Sequence, residues 1–214
     1  MAGTRLAVAE TVTDSLDYAV AGVTHKEAAL KKGTQHKQEF LSDVSELRRR
    51  AREHMDQGAV TDVYQADRST MVKLLNTVLA TELVCTLRYR RHYFMAKGIH
   101  AQPVADEFIE HAREEQEHAD EVAKRIIQLG GEPDFNPESL TARSHSEYVE
   151  GGDLVSMIRE DLVAERVAIE SYTEMIRFIG DGDPTTRRVL EQILAKEEEH
   201  AEDLNTLIEE LKEA

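Results

Sequence analysis

Cys85 is the only cysteine in 214 residues. No intrachain disulfide can form, so a reducing compartment, the cytoplasm, is expected. Without a set of thiolates an iron–sulfur cluster is excluded. Tryptophan is absent and aromatic residues make up only 5% of the chain. Charged residues are 32%, and most of the remainder are helix formers, which points to an all-α fold. No stretch approaches 18 uninterrupted apolar residues, and the first ten residues lack an apolar run of signal-peptide length. Neither a membrane span nor a secretory leader is therefore expected. Positive charge is scarce too: 26 Lys and Arg stand against 42 Asp and Glu, a net charge of −16. Phosphate backbones need stripes of Lys and Arg, so no nucleic-acid partner is expected. An acidic chain attracts cations instead.

The length suffices for one good-sized core plus an extension. Residues 1–33 read as an arm. Leu6, Val8, Val12, Leu16 and Val20 give a weak amphipathic pattern that Gly3, Gly22 and Gly33 interrupt. Residues 34–68 read as an extra helix and its connection. Phe40, Leu41, Val44, Leu47, Ala51 and Met55 recur at helical spacing over 35–57, and Gly58 is the stop.

Residues 69–214 read as a bundle of four helices. The first spans about 69–97, with Asp67 or Ser69 as N-cap and Gly98 as stop. The second starts near Pro103 and ends at Gly130 and Gly131. Residues 132–152, with Pro133 and Pro137, are too long for a tight turn and fit a long crossover. The third helix runs from the Asp153 cap to Ile179. A turn through Gly180, Gly182 and Pro184 leads to the fourth, capped by Asp183 and ending near Lys212.

The most informative features are two Glu-x-x-His pairs, Glu115 with His118 and Glu197 with His200. Three residues apart on a helix, a carboxylate and an imidazole share one face. Each pair follows a lone Glu on an apolar helix face: Glu82 lies 33 residues before Glu115, and Glu165 lies 32 before Glu197. The two halves repeat one plan, a helix with one inward Glu and then a helix with Glu-x-x-His. All six residues sit on apolar stripes, such as Leu75, Val78 and Leu79 around Glu82 and Leu190, Ile193 and Leu204 around the last pair. A rotation of the last helix would substitute Glu198 or Glu199 for Glu197.

Burying a lone carboxylate costs several kcal/mol or more. Four in one core repel one another and should not all ionise. The charge closes with two divalent cations against four carboxylates and neutral imidazoles, or with several protonated acids. Oxygen and nitrogen donors suit iron or manganese, and zinc fits as well.

These residues carry a family resemblance. Over residues 75–211 the chain resembles bacterioferritin and related ferritin-like di-iron carboxylate proteins, through LNTVLATEL (75–83), EQEHAD (115–120), DLVAER (161–166) and ILAKEEEH (193–200). The resemblance implies a ferritin-like four-helix bundle. It implies a ferroxidase that oxidises Fe(II) with dioxygen or peroxide, for iron handling or storage. Glu82, Glu115, His118, Glu165, Glu197 and His200 would hold two iron ions per chain, with Glu115 and Glu197 bridging. Tyr89 matches a tyrosine beside the centre that donates an electron or a hydrogen bond; core packing is the alternative role. Asp161, one turn before Glu165, is placed to orient a ligand histidine by accepting its second ring proton, or else makes an ordinary buried hydrogen bond.

The chain departs from that family in three places. Bacterioferritins bind haem through a methionine where this chain has Gln116, so haem is not expected. The chain runs only 14 residues past His200. The short fifth helix that lines the four-fold channels of 24-subunit shells is thus missing, and a homo-oligomer, dimer or larger, is expected rather than a hollow cage as a given. Residues 1–68 have no counterpart.

His92 and His111 read as partly exposed helix histidines, with an iron transit site as the alternative, and Cys85 as a small buried thiol. Two other functions remain open: a rubrerythrin-like peroxide reductase, for which no rubredoxin-like Cys pairs exist, and a helical interaction protein with a structural metal.

Overall fold

A computed structural model describes residues 43–99 and 101–213. The arm expected over 1–33 and the start of the expected helix at 35 lie outside the described residues. Described from Asp43 onward, the chain is helical: α1 (Val44–Glu53), α2 (Arg68–Met95), α3 (Ala101–Gln128), α4 (Leu140–Arg143), α5 (Leu154–Ile179) and α6 (Pro184–Glu213). No strand occurs among the described residues. α1 ends earlier than its apolar spacing suggested. A single 3-10 turn (Met55–Gln57) follows it, and Gly58, at φ 66°, ends that turn rather than the helix.

Local chemistry sets the ends of the long helices. The Asp67 side chain accepts from the Thr70 amide and caps α2. Asp153 and Ser156 exchange bonds in a reciprocal capping arrangement at the start of α5. α3 ends at Gln128 and is closed off by Gly130, whose φ of 78° suits glycine; the Gly131 amide reaches back to the Ile126 carbonyl and the Gly130 amide to Ile127.

α2 packs along α3 and α5 along α6, and the two pairs meet through α2–α5 and α3–α6 contacts. Short links join α2 to α3 and α5 to α6. The crossover from α3 to α5 runs back along α2 and is fixed to it throughout. Arg143 donates to the Asn76 carbonyl, the His145 amide donates to Thr81 Oγ1, and Arg88 donates to the Glu147 carbonyl. α4, which the sequence did not suggest, is one turn of this strap.

Two large apolar clusters make up most of the core, with a small third one of Ala80, Val84 and Leu140 under the crossover. One large cluster holds Leu75, Leu79, Val122, Ile126, Leu190 and Ile193; the other holds Phe108, Ala112, Ile158, Ala164, Leu204 and Ile208. In each long helix the Glu or Glu-x-x-His positions fall between the residues given to one cluster and those given to the other. A polar layer is therefore sealed on both sides. α2 is the one helix among the described residues long and apolar enough to cross a membrane. Its apolar residues serve this core, and it also buries Glu82, Arg88 and Tyr89.

A buried ion pair closes one end of the bundle. Arg125 Nη2 donates to Asp183 Oδ1 at 2.7 Å and its Nε to Thr186 Oγ1 at 2.9 Å. Asp183 Oδ2 accepts from the Tyr64 hydroxyl at 2.8 Å, which ties the segment after α1 to the α5–α6 turn. Removing one member strands the other charge in the core. Asp183→Ala should therefore cost about 3–5 kcal/mol, read as a lower midpoint in denaturant at unchanged slope. A change within about 0.5 kcal/mol would show that the network contributes little.

Candidate metal centre

Each bundle helix brings its expected residue into the polar layer: Glu82 from α2, Glu115 and His118 from α3, Glu165 from α5, Glu197 and His200 from α6. All six are buried, and His118 is the most exposed at 8%. Glu198 and Glu199 face solvent, so α6 is not rotated to put either in the place of Glu197.

The six residues form two overlapping groups. Glu82, Glu115, His118 and Glu197 offer donor atoms within 4.8 Å of one another, and so do Glu115, Glu165, Glu197 and His200. Glu115 and Glu197 belong to both. His118 Nδ1 lies 3.3 Å from Glu82 Oε2 and 3.1 Å from Glu197 Oε1. His200 Nδ1 lies 3.5 Å from Glu115 Oε1 and 3.6 Å from Glu197 Oε2. Each residue leaves one buried atom without a hydrogen-bond partner: Glu82 Oε2, Glu115 Oε1, His118 Nδ1, Glu165 Oε2, Glu197 Oε1 and His200 Nδ1. Native cores leave only a few such atoms, usually scattered, as Thr86 Oγ1 and Ser146 Oγ are here. Six in one place, all from carboxylates and imidazoles, fit cations coordinated between them.

Without a cation, protons balance the charge. Burial and the nearby Glu115 push the Glu82 carboxyl up to about 8. Burial, with Glu115 and Glu197 close by, holds Glu165 well above the usual carboxylate range. Burial also opposes ionisation of Glu115 and Glu197, but the facing imidazoles and protonated carboxyls outweigh it and lower both. Burial disfavours charge on the histidines, yet the surrounding carboxylates prevail: His200 is pushed up to about 12 and His118 also lies far above its ordinary range. Near neutral pH two carboxylates thus face two imidazoliums, and two acids stay protonated.

Two tyrosines complete the layer in mirrored fashion. The Tyr89 hydroxyl of α2 donates to Glu165 Oε1 of α5, and the Tyr172 hydroxyl of α5 donates to Glu82 Oε1 of α2. The sequence pointed to Tyr89 but not to Tyr172. The signal was present, because each tyrosine follows its helix's Glu by seven residues.

The expected role of Asp161 is corrected by the geometry. Asp161 Oδ1 accepts from Arg88 Nε and its Oδ2 faces His92 Nδ1, both at 2.8 Å, and it touches neither His118 nor His200. The residue that does orient a histidine of the layer is Glu114, whose Oε2 lies 2.7 Å from His200 Nε2 and which also pairs with Lys196. Sequence reasoning missed it because it looked like one more surface acid beside Glu115. His92 and His111 are not partly exposed either, at 0% and 1%; Asp161 and the crossover carbonyls engage His92, and His111 stacks on His200. Cys85 is buried, and burial raises its thiol well above the ordinary range, so it stays protonated.

Residues 72–214, about two thirds of the chain, match the family model described as Ferritin, ferritin-like domain. The chain belongs to the ferritin-like family. Among its relatives is a protein of Nostoc sp. named nutrient stress-induced DNA-binding protein, 31% identical over 59% of this chain and 71% of that one. A bacterioferritin of Desulfovibrio desulfuricans is 26% identical over 62% of this chain and 71% of that one. A solved structure of the bacterioferritin-related protein of Bacteroides fragilis, described as a dodecameric thioferritin, superposes with a TM-score of 0.66 at 34% identity, covering 70% of this chain and 92% of that one. Ferritin-like bundles with a bacterioferritin relationship are thus what this chain resembles in sequence and in fold.

The protonation pattern separates the four glutamates by experiment. In chelator-treated protein, Glu82→Gln and Glu165→Gln replace acids that are already protonated and should change stability by less than about 1 kcal/mol. Glu115→Gln and Glu197→Gln strip a carboxylate from between two imidazoliums and should cost about 3–5 kcal/mol. Equal losses for all four in thermal or denaturant unfolding would contradict this assignment.

Proposed function

We propose that the centre is a di-iron carboxylate ferroxidase site and that this ferritin-like protein oxidises Fe(II) to Fe(III) for iron handling or storage. The observation that carries the reading is the set of six buried, unpartnered donor atoms, one from each of Glu82, Glu115, His118, Glu165, Glu197 and His200. Two ferrous ions per chain are the substrate, one in each overlapping group, with Glu115 and Glu197 shared between them. Manganese or zinc would fit the same donors. Haem has no place in the reading, since Gln116 stands where bacterioferritins carry a methionine.

The chain's residues have distinct tasks. His118 and His200 present Nδ1 to the ions, and Glu114 fixes the His200 ring through Nε2. Tyr89 and Tyr172 hold Glu165 and Glu82 at one oxygen each, leaving the other free to coordinate. The apolar clusters on either side exclude bulk water. Two ferrous ions yield two electrons; dioxygen with two protons then becomes hydrogen peroxide, or peroxide with two protons becomes two waters. Family membership supports this activity, and so does the absence of rubredoxin-like Cys pairs that a peroxide reductase would use to receive electrons.

Assembly as a homo-oligomer is part of the proposal, supported by the dodecamer of the Bacteroides fragilis relative. Cytoplasmic placement is supported by the lone, protonated Cys85. The net charge of −16 supports a function without direct duplex binding, in contrast to the name of the Nostoc relative.

Ferrous ion added anaerobically, then exposed to air, should give a ferric absorbance in the near ultraviolet. Glu115→Ala and His200→Ala should each abolish it; a surviving signal at unchanged iron content would refute the site. Divalent ions must also displace the protons of Glu82, Glu165, His118 and His200. Loading at neutral pH should then release about four protons per chain, and affinity should fall as pH is lowered. Calorimetry in buffers of different ionisation enthalpy reads this number, and a value near zero would contradict the charge assignment.

A further inference from the structure

A second convergence of donors lies on the same α3–α6 seam. His111 Nε2 stands 3.3 Å from Glu107 Oε1 and 3.8 Å from Asp203 Oδ2, and donor atoms of the three residues lie within 4.8 Å of one another. None of the three belongs to the six-residue centre. His111 is 1% exposed, and its Nδ1 has no hydrogen-bond partner. Nδ1 is the ring nitrogen turned away from these carboxylates, so it does not anchor the ring, and Nε2 is the nitrogen offered to them. Packing fixes the ring: it stacks on His200 with centroids 4.0 Å apart, and meets Tyr89 edge-on at 5.2 Å. Nε2 is thereby aimed between the two carboxylates.

We propose that Glu107, His111 and Asp203 form a third, mononuclear site for a first-row divalent cation, beside the two-ion centre. One imidazole nitrogen and two carboxylates are a donor set that such cations accept, and two carboxylates match one divalent charge. Glu107 and Asp203 are partly exposed, at 32% and 45% of their side chains, so the remaining coordination positions face water and the ion exchanges with solvent. Only the His111–His200 stack separates this ion from the inner group. As a waiting position for ferrous ion the site extends the ferroxidase reading; as a cation site it stands without it.

The test is equilibrium dialysis of the full-length, metal-stripped protein against Zn(II), with elemental analysis of the bound metal. Glu107→Gln/Asp203→Asn changes only partly exposed acids to amides, so folding is retained. It should hold about one ion per chain fewer than the wild type. Equal ion counts in that variant and the wild type overturn the third site. Glu82→Gln/Glu165→Gln, which leaves the metal-free fold nearly unchanged, reports separately on the inner centre: with one carboxylate removed from each overlapping group it should lose about two ions and keep the one at His111. If it keeps the wild-type count, the two-ion reading fails and the third site is judged by the first variant alone.

Discussion

Four glutamates buried in one layer of a helical bundle cannot all carry charge unless something positive lies between them. The rest of the structure follows from that constraint. Two imidazoles face the carboxylates, two of the acids keep their protons, and each of the six side chains keeps one buried atom without a formed hydrogen bond. A hydrocarbon core of the same shape would be cheaper to fold. In the proposed function the polar layer is a cost borne for cation binding, and two apolar clusters offset it from either side.

The two halves of the bundle are mirrored down to the tyrosines. Tyr89 of α2 holds the glutamate of α5, and Tyr172 of α5 holds the glutamate of α2, so each half supplies the support for the other's ligand. The symmetry breaks at the histidines. Glu114 engages the outer nitrogen of His200, whereas His118 keeps some exposure and has no matching carboxylate on its outer side among the described hydrogen bonds. His111 adds to the difference by stacking on His200 alone. The two overlapping groups are therefore unequal in access and in rigidity.

Much of this was legible in the sequence, for physical reasons. Glu-x-x-His fixes two side chains on one helix face by geometry alone, and apolar neighbours at helical spacing reveal that the face is inward. Several helix ends were readable because Asp67, Asp153 and Asp183 are capping residues and Gly130 suits a left-handed stop, whereas α2 ends at Met95, short of the expected Gly98. Asp161 could be read two ways because one turn of separation on α5 does not say which neighbouring helix the carboxylate meets; Arg88 and His92 of α2 claim it, as the buried-hydrogen-bond alternative has it. His92 and His111 looked like surface residues because partners distant in sequence bury them. Glu114 was hidden in a run of acids, and α4 is too short to leave a periodic signal.

The central claim is that six residues from four helices hold two cations, with Glu115 and Glu197 between them. Anomalous diffraction from crystals loaded anaerobically with Fe(II) tests it most directly. The account predicts two peaks in the polar layer about 3.5–4 Å apart, each beside one histidine Nδ1 and both flanked by Glu115 and Glu197. A single peak there, or peaks confined to the acidic exterior, would contradict it.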